Sequence, residues 1–421
     1  MSATHQVLEV HDKLLNRLAD ARSQSDRIFA LVRPEALYAR PIAERHRIVF
    51  YIGHLEAFDW NLLHPHLPGL RSFEPELDRL FAFGIDPVDG GLPADQPQDW
   101  PALPEVRRYA ARVREALDGA LDRFADPLLL HVAIEHRFMH AETLAYMFHQ
   151  LPFTDKVSGR QNSGLIAGPV HPVTVGIPEG STTLGLSRAG ADFGWDNEYE
   201  AHSVDVPAFA IDKYKVTNSQ YLRFIDSGGY RDPSLWSPAD WQWKNENDIT
   251  RPTFWNRRDG RWWYRGMFEE IPLPSEWPVY VSHAEACAYA RWAGKKLPTE
   301  AQWHRAAYGS GVDAHAREQC FDFDQWDPSP VNAFPLGGGA FGVAGLIGNG
   351  WEWTSTEFAP FDGFQPFPFY PGYSANFFDG KHYVMKGGSP RTEDCMRRPS
   401  FRNWFQPHYQ YVYAGFRCVT D

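Results

Sequence analysis

The sequence has little cysteine, less positive than negative charge and no long apolar run. Its four cysteines in 421 residues form no Cys-x-x-Cys pair, which excludes a disulfide scaffold and favours a reducing cytoplasm. No apolar run reaches the roughly 18–20 residues of a membrane span, and the charged N-terminus lacks the apolar segment of a signal peptide. Lys and Arg number 41 against 53 Asp and Glu, so neither nucleic acid nor a membrane is expected as a partner.

Two regions of different composition divide the chain, and we expect two domains, residues 1–155 and 156–421. Of the 16 tryptophans, only Trp60 and Trp100 lie in the first region. Apolar spacing there predicts four helices, over about residues 5–32, 42–63, 104–124 and 126–150. Asp126 and Pro127 suit the cap and first position of the last helix. Four long helices indicate a four-helix bundle, a fold that often holds metal ions between facing helices.

The second region is rich in glycine, proline and aromatic residues and shows few helical patterns. Turn-forming residues are dense over about residues 155–200. Helix-like spacing is confined to two patches, residues 216–224 and 282–293. Short strands joined by long loops, with few helices, indicate an α+β domain.

A pair of histidines in the last predicted helix is the strongest sign of a functional site. His136 and His140 lie about 40° apart around a helix, so both imidazoles share one face. Such a pair is half of a transition-metal site, or else two buried hydrogen-bonding histidines. His54, in the second predicted helix, is the best third ligand, and Gly53 beside it permits close helix approach. Zinc, nickel and ferrous iron all accept imidazole, so these residues alone do not choose the metal.

Other histidines and acids of this region are poorer ligand candidates. His131 and His149 fall about 140° and 180° around the helix from His136 and His140, respectively. Two histidines of a proline-rich turn are expected to be solvated: His64 and His66. Two glutamates of the last helix are expected to orient a ligand or to lie at the surface: Glu135 and Glu142.

Four segments of the second region together resemble the formylglycine-generating-enzyme-like fold, an α+β domain of the C-type-lectin type. They are residues 278–308 (PVYVSHAEACAYARWAGKKLPTEAQWHRAAY), 345–358 (GLIGNGWEWTSTEF), 382–389 (HYVMKGGS) and 398–418 (RPSFRNWFQPHYQYVYAGFRC). The first region, with its His-x-x-x-His-x-Glu segment, resembles the DinB-like four-helix bundle. In this order, the two regions resemble the nonheme-iron sulfoxide synthases of ergothioneine and ovothiol biosynthesis and their relative selenoneine synthase.

This resemblance implies an Fe(II) enzyme that uses O2 to join sulfur or selenium to the imidazole of hercynine (trimethylhistidine). Three imidazoles leave octahedral positions open for a chalcogen donor and O2. The second domain is expected to complete the substrate pocket, with Asn403 and Trp404 at positions that contact hercynine in the family. The iron ligands that the resemblance implies are His54, His136 and His140. Glu142 is expected to orient these ligands without binding the metal itself.

The resemblance also implies a tyrosine proton donor. At two further positions, this sequence differs from the family. Tyr370 is the candidate donor, and Tyr373, three residues further along the chain, is the alternative. Met139 stands where actinobacterial ergothioneine synthases have a glutamine that contacts hercynine. Phe405 stands where their Arg-Asn-Trp-Asp motif has an aspartate that contacts substrate. We therefore expect Met139 and Phe405 to shape the substrate site differently here.

The loop between the second and third predicted long helices differs most from those synthases, which use arginines there to bind γ-glutamylcysteine. Residues 84–106 contain no Lys or Arg. A dianionic donor would be repelled by such a loop, whereas a neutral, hydroxyl-rich selenosugar would suit carboxylates that accept hydrogen bonds. The alternative is a loop that is only solvated, with the donor bound elsewhere. Its five acids are Asp86, Asp89, Asp95, Asp99 and Glu105.

Three alternatives to a selenosugar-dependent enzyme stay open at this point. The first is an ergothioneine-type synthase that uses cysteine or γ-glutamylcysteine. The second is a zinc- or nickel-dependent thiol transferase or hydrolase of the DinB type, which needs no O2. The third is a binding module without catalysis, since lectin-like folds often only bind. Sulfatase activation is not expected, because the cysteines do not match the reactive pair of formylglycine-generating enzymes.

Overall fold

The computed structural model describes residues 3–84, 91–157, 159, 167–309, 325–333, 339 and 341–421. The chain divides into two compact units, Met1–Gly159 and Arg160–Asp421. Each unit is described by itself below. Within the described residues, no helix is both long and apolar enough to cross a bilayer.

The regular secondary structure of the first unit, in its described residues, consists of helices. The longest helices, α1 and α5, pack against each other, and α2 packs on α3, α4 and α5. Large side chains that these contacts bury completely include Trp60 and Tyr109. The helices are α1 (Ala3–Phe29), α2 (Ile48–Leu63), α3 (Pro75–Phe83), α4 (Leu103–Asp118) and α5 (Pro127–Gln150).

Three of these helices differ from the prediction, each for a local reason. Helix α2 begins six residues later than expected, because Arg47 has an extended backbone and its guanidinium donates to Asp95. Helix α4 ends at Asp118, because Gly119 follows and glycine is a poor helix former. Helix α3 was not predicted. The start of α5 is confirmed, since the Asp126 side chain accepts a hydrogen bond from the Leu128 amide over 2.9 Å.

The second unit combines small sheets with short helices, which confirms the α+β prediction. The two expected helical patches correspond to α6 and α8, whereas α7 and α9 were not predicted. The helices are α6 (Asn218–Asp226), α7 (Pro238–Glu246), α8 (His283–Trp292) and α9 (Glu300–Tyr308). The strands are β1 (Thr174–Ile177), β2 (Gly180–Leu184), β3 (His202–Val206), β4 (Phe209–Asp212), β5 (Trp255–Arg258), β6 (Arg261–Arg265), β7 (Glu270–Pro272), β8 (Trp351–Glu357), β9 (Tyr383–Lys386), β10 (Asn403–Phe405), β11 (Ala414–Gly415) and β12 (Val419–Thr420).

The sheets bring distant parts of this unit together. Strands β1 and β12, from its two ends, both flank β4, in the order β1-β4-β12. A second sheet has the order β10-β9-β8-β11, while β2-β3 and β5-β6-β7 form antiparallel ribbons. Trp303 of α9 packs in the core with Ile211 and Leu346. The buried carboxylate of Glu352 accepts two 2.7 Å hydrogen bonds from Arg417, which ties β8 to the C-terminal segment.

Candidate metal centre

Helices α2 and α5 carry the three predicted ligands. The cap at Asp126 starts α5, so His136 and His140 lie one turn apart on one face of that helix. On α2, Gly53 allows α3 to pack closely, because a Cβ atom at Gly53 would lie 2.4 Å from the ring of Phe81. This close approach places the Phe81 main chain beside His54.

The three imidazoles converge through their Nε2 atoms. The Nε2 of His140 lies 3.1 Å from the Nε2 of His54 and 3.1 Å from the Nε2 of His136. Among the described residues, these are the three histidines, cysteines or acids placed to hold one metal ion, with ligand atoms within 4.8 Å of one another. His54 and His136 are buried and His140 is half-buried. The structure therefore brings together all three predicted ligands.

Hydrogen bonding fixes which nitrogen of His54 faces the cluster. Its Nδ1 lies 2.7 Å from the carbonyl oxygen of Phe81, which can only accept, so Nδ1 carries the proton. The Nε2 of neutral His54 then keeps its lone pair and points it at His140. A main-chain carbonyl that orients a histidine in this way is a common support of metal sites.

Burial keeps all three imidazoles neutral. It lowers the pKa of His54 to about 4, although the bond to Phe81 opposes this shift. Burial also lowers the pKa of His136 and of His140 well below the ordinary value, and neighbouring histidines add to the effect. Neutral imidazoles offer lone pairs near pH 7, as metal ligands must.

The geometry of this donor set fits a metal ion. Two nitrogens bound at about 2.1 Å and at right angles would lie roughly 3.0 Å apart, close to the observed 3.1 Å separations. Imidazole suits zinc, copper, iron and nickel. Three such donors leave coordination positions for substrate or O2, which distinguishes a catalytic site from a closed structural one.

Aromatic rings of α2, missed by the sequence analysis, flank each ligand. The Phe58 ring stacks on His136 with centroids 3.4 Å apart, and Phe50 stacks on His54 at 4.7 Å. Tyr51 lies 5.6 Å from the His140 ring. Their spacing from His54 by three or four residues on one helix was the signal that could have identified them. The rings limit the access of water to the imidazoles.

The hydroxyl of Tyr51 stays protonated near neutral pH. Burial raises the pKa of Tyr51 to about 12, although Arg45 opposes the shift. Arg45 donates a 2.6 Å hydrogen bond to the Tyr146 hydroxyl, and its charge also lowers the pKa of His140 after the larger effect of burial. The Arg45 cation and the protonated phenol of Tyr51 therefore lie on the His140 side of the centre.

Other candidates of the first unit occupy varied positions. Met139 is half-exposed on α5, and Glu142 is buried two residues beyond His140. Glu135 is buried too, so neither glutamate is a surface charge. His64 was expected to be solvated, and this prediction is wrong. The residue is half-buried, and its ring stacks on Trp60 at 4.6 Å. Three remaining histidines lie outside the cluster, and among them only His149 is fully buried: His66, His131 and His149.

Most predicted substrate residues of the second unit belong to one aromatic cluster. The Trp404 ring stacks on Phe358 at 4.1 Å and meets the Tyr373 ring edge-on at 5.5 Å. Tyr370 lies 5.6 Å from Tyr373, and burial raises the pKa of its hydroxyl. The two candidate tyrosines and Trp404 are therefore neighbours.

The other two candidates share strand β10. The Oδ1 of Asn403 accepts a 2.9 Å hydrogen bond from the Trp404 amide, which occupies one of its two lone pairs and fixes the orientation of the side chain. Phe405 pairs with Tyr383 of β9, and its ring stacks on Tyr409 at 4.9 Å. Asn403 and Phe405 alternate with Trp404 and therefore lie on the opposite face of the strand.

The acidic loop requires a correction. Asp95 is buried, and Arg40, Arg47 and the Trp100 indole nitrogen all donate to its carboxylate. It therefore neither repels a donor nor binds one, since its charge is compensated. The Asp99 carboxylate accepts a 2.7 Å hydrogen bond from the Gln96 amide and caps a short turn. Two further acids lie outside the described residues: Asp86 and Asp89.

Comparison with known proteins identifies both the domain and relatives of the whole chain. Residues 168–421 match the sulfatase-modifying factor enzyme 1-like domain. Hercynine oxygenase of Mycolicibacterium thermoresistibile is 36% identical over 382 residues, which cover 85% of this chain and 82% of that protein. Hercynine oxygenase of Mycolicibacterium smegmatis is 35% identical, covering 85% and 86%. Ergothioneine biosynthesis protein 1 of Neurospora crassa is 26% identical, covering 92% of this chain and 55% of that protein.

These matches show a protein whose second unit has the formylglycine-generating-enzyme-like fold. The match of the hercynine oxygenases extends over most of both chains. The chain therefore belongs to the ergothioneine-type sulfoxide synthase family, as the sequence motifs indicated. The domain match begins at residue 168, so it covers the second unit and not the helical unit with the three histidines.

Proposed function

We propose that this chain is a nonheme Fe(II) enzyme that uses O2 to couple a selenosugar to hercynine. The observation that carries the proposal is the convergence of three neutral Nε2 atoms, from His54, His136 and His140, in a chain related to hercynine oxygenases. We further propose a DinB-like bundle over residues 1–155 and a substrate domain over residues 156–421. The few cysteines support a reducing cytoplasm as the location.

The proposed reaction replaces the C–H bond between the two ring nitrogens of hercynine with a carbon–selenium bond. In a sulfoxide-type reaction O2 takes up four electrons. One of its oxygen atoms stays on the selenium, and the other leaves as water with the selenol hydrogen and the ring hydrogen. Bound Fe(II) would supply the redox chemistry between O2 and the chalcogen. His54, His136 and His140 would hold the metal. Its Phe50 and Phe58 rings shield these imidazoles from water.

We propose that the second unit binds hercynine. A trimethylammonium group favours aromatic faces, and the cluster of Trp404, Tyr373 and Tyr370 offers such faces. Phe358 covers one face of Trp404, and Trp195 stacks on the buried ring of Tyr373 at 3.9 Å, so the cation would use the other face of Trp404 or the ring of Tyr370. Asn403 would donate from its amide nitrogen, because its carbonyl accepts from the Trp404 amide. Tyr370 would supply a proton, since burial keeps its hydroxyl protonated.

The proposal of a neutral donor rests on the arginines near the loop, whose charges are already paired with a carboxylate. Arg40 and Arg47 both bond to Asp95. Neither arginine is therefore placed to bind the carboxylates of γ-glutamylcysteine while that contact lasts. The loop itself, residues 84–106, contains no Lys or Arg. Met139 and Phe405 are apolar at positions where the ergothioneine synthases contact hercynine or substrate with polar side chains, so we propose a differently shaped substrate site here. A selenosugar, which carries hydroxyls in place of carboxylates, fits these properties.

A competition assay tests the proposal. The full chain is loaded with Fe(II) without oxygen and mixed with hercynine and equal amounts of 1-selenoglucose, cysteine and γ-glutamylcysteine before air is admitted. Mass spectrometry is expected to show a hercynine-derived product with the isotope pattern of selenium. A sulfur conjugate as the main product would instead establish an ergothioneine-type synthase, the alternative that the names of the relatives favour. No O2-dependent product from any donor would overturn both and favour a zinc-dependent activity.

A further inference from the structure

Arg137 is a completely buried cation on the helix that supplies two of the metal ligands. It directly follows His136 on α5 and is 0% exposed. A guanidinium in such a place needs several acceptors, because an unpaired buried charge is costly. The position of those acceptors determines what the residue does.

The principal acceptors of Arg137 lie on α2, the helix that carries His54. Its Nη1 donates to the carboxylate of Glu56 over 2.9 Å, and its Nη2 donates to the carboxylate of Asp59 over 2.6 Å. The same Nη2 also donates to the carbonyl oxygen of Leu55 over 2.9 Å. Three hydrogen bonds therefore connect the neighbour of one ligand to residues within five positions of another ligand.

The residues of α2 that bond to Arg137 lie on a different face of that helix from His54. Glu56 and Asp59 lie about 200° and 140° around α2 from His54. The planar guanidinium fork spans both carboxylates at once, which a lysine ammonium, as a point charge, does not do. We propose that Arg137 is a positioning residue that sets the register of α2 against α5 and thereby the spacing of the three imidazoles.

A small slip between the two helices would disturb the metal centre. One residue along a helix is about 1.5 Å, whereas ligand distances in a working metal site hold to within roughly 0.2 Å. The three contacts of Arg137 oppose such a slip, because each would lengthen if α5 moved along α2. This inference rests on the metal site of the proposed function and goes beyond it by assigning the control of its geometry.

The chain contains a matched control for this role. Arg114 of α4 donates to the same Glu56 oxygen over 2.8 Å and to Asp26 of α1 over 2.7 Å. It thus belongs to the same ionic network but does not connect the two ligand helices. Replacing Arg114 with lysine keeps the charge, removes the guanidinium fork that joins Glu56 to Asp26, and leaves the direct α2–α5 connection in place.

The experiment compares Arg137→Lys with Arg114→Lys in the full-length metal-free chain. Each protein is titrated with Co²⁺, a spectroscopic probe of coordination, and its thermal midpoint is measured without metal. Arg137→Lys is expected to bind Co²⁺ at least about 10-fold more weakly, as when a group that orients a ligand is lost. Its visible absorption bands are also expected to change. Arg114→Lys is expected to lower the thermal midpoint but to leave Co²⁺ affinity and spectrum as in the original chain.

Equal effects of the two substitutions on Co²⁺ binding, or no effect of Arg137→Lys, would overturn the proposal. If Arg137→Lys does not fold, Asp59→Asn replaces it, since the amide keeps the shape of the acceptor and loses its charge. The same loss of affinity and the same spectral change are then expected, and normal binding would overturn the proposal. If the unaltered chain does not bind Co²⁺, the metal site of the proposed function is wrong. This result differs from normal Co²⁺ binding by the variants, which would contradict only the role of Arg137.

Discussion

The Nδ1 atom of His54 donates a 2.7 Å hydrogen bond to the carbonyl oxygen of Phe81. This contact joins α2 to α3 and makes Nε2 the nitrogen that faces His140 and His136. It depends on the absence of a side chain at Gly53, where a Cβ atom would lie 2.4 Å from the Phe81 ring. The short helix α3, which carries no ligand, therefore orients one of the three imidazoles.

Gly53→Ala is expected to weaken both the fold and the metal site. The new methyl group would push Phe81 away and lengthen its bond to His54, and overpacking of this kind costs about 1–3 kcal/mol. Urea unfolding of the metal-free chain and Co²⁺ titration measure the two effects. Gly119→Ala is the control, because the nearest atom to its Cβ would be 3.5 Å away. If Gly53→Ala binds Co²⁺ normally, the orienting role of Phe81 is wrong.

Tyr370→Phe is expected to slow product formation without changing metal content. Burial keeps the Tyr370 hydroxyl protonated, and loss of a general acid lowers rates by about 10²–10⁴-fold. Tyr373→Phe, at the neighbouring ring, is the matched variant. The measurement is the rate of hercynine consumption by iron-loaded protein under air. A large loss in Tyr373→Phe and none in Tyr370→Phe would transfer the role to Tyr373.

Asp95→Asn is expected to shift donor preference towards γ-glutamylcysteine. The substitution removes the negative charge that Arg40 and Arg47 now compensate, so that both cations become available to carboxylates. We expect the ratio of sulfur to selenium product in mixed-donor assays to rise by about tenfold, which corresponds to ~1.4 kcal/mol. Asp99→Asn, which affects only the cap of a short turn, is expected to leave the ratio unchanged. An unchanged ratio in Asp95→Asn would show that this loop does not select the donor.

The second unit is expected to lose stability in mild acid through His304. Burial lowers the pKa of His304 to about 3, so the folded state binds fewer protons than the unfolded state below about pH 6.5. Its contribution to the free energy of unfolding is therefore constant above that pH. It declines by up to ~1.4 kcal/mol per pH unit as the pH falls towards 3.

Denaturation followed by tryptophan fluorescence measures this decline, because 14 of the 16 tryptophans lie from Trp195 onward. His304→Gln is expected to reduce the slope between pH 6 and 4.5, since glutamine does not titrate and can still bond to Thr182. The remaining slope is expected from His283, whose pKa burial lowers to about 4. His171→Gln, at an exposed position, is the control and is expected to keep the original slope. The same slope in all three proteins would contradict the assignment to His304.

The sequence was sufficient to locate the three histidines, because their signal is local. The four-residue spacing of His136 and His140 is a property of any helix, and the Asp126 cap predicts where that helix begins. His54 was harder, since its partners lie 82 and 86 positions away, but an apolar stretch identified its helix. The resemblance to a known family then placed the same residues in one site.

The supports of the site were not predictable in this way. Asp95 and Arg40 are 55 positions apart, and nothing near Asp95 in the sequence indicates that its charge is compensated. Counting acids in the loop therefore gave it a repulsive role that Asp95 does not have. Arg137 likewise resembles an ordinary surface residue until its contacts with Glu56 and Asp59 are known. Tertiary pairing, which decides such cases, has no short-range pattern.

The most direct test of the central claim compares the unaltered chain with His140→Ala. Both are loaded with Fe(II), bound iron is measured, and hercynine and 1-selenoglucose are supplied with and without O2. The unaltered chain is expected to bind iron and to form a hercynine–selenium product only with O2. His140→Ala is expected to lose iron and product together. Full iron content and full turnover in His140→Ala would contradict the assignment of the metal centre.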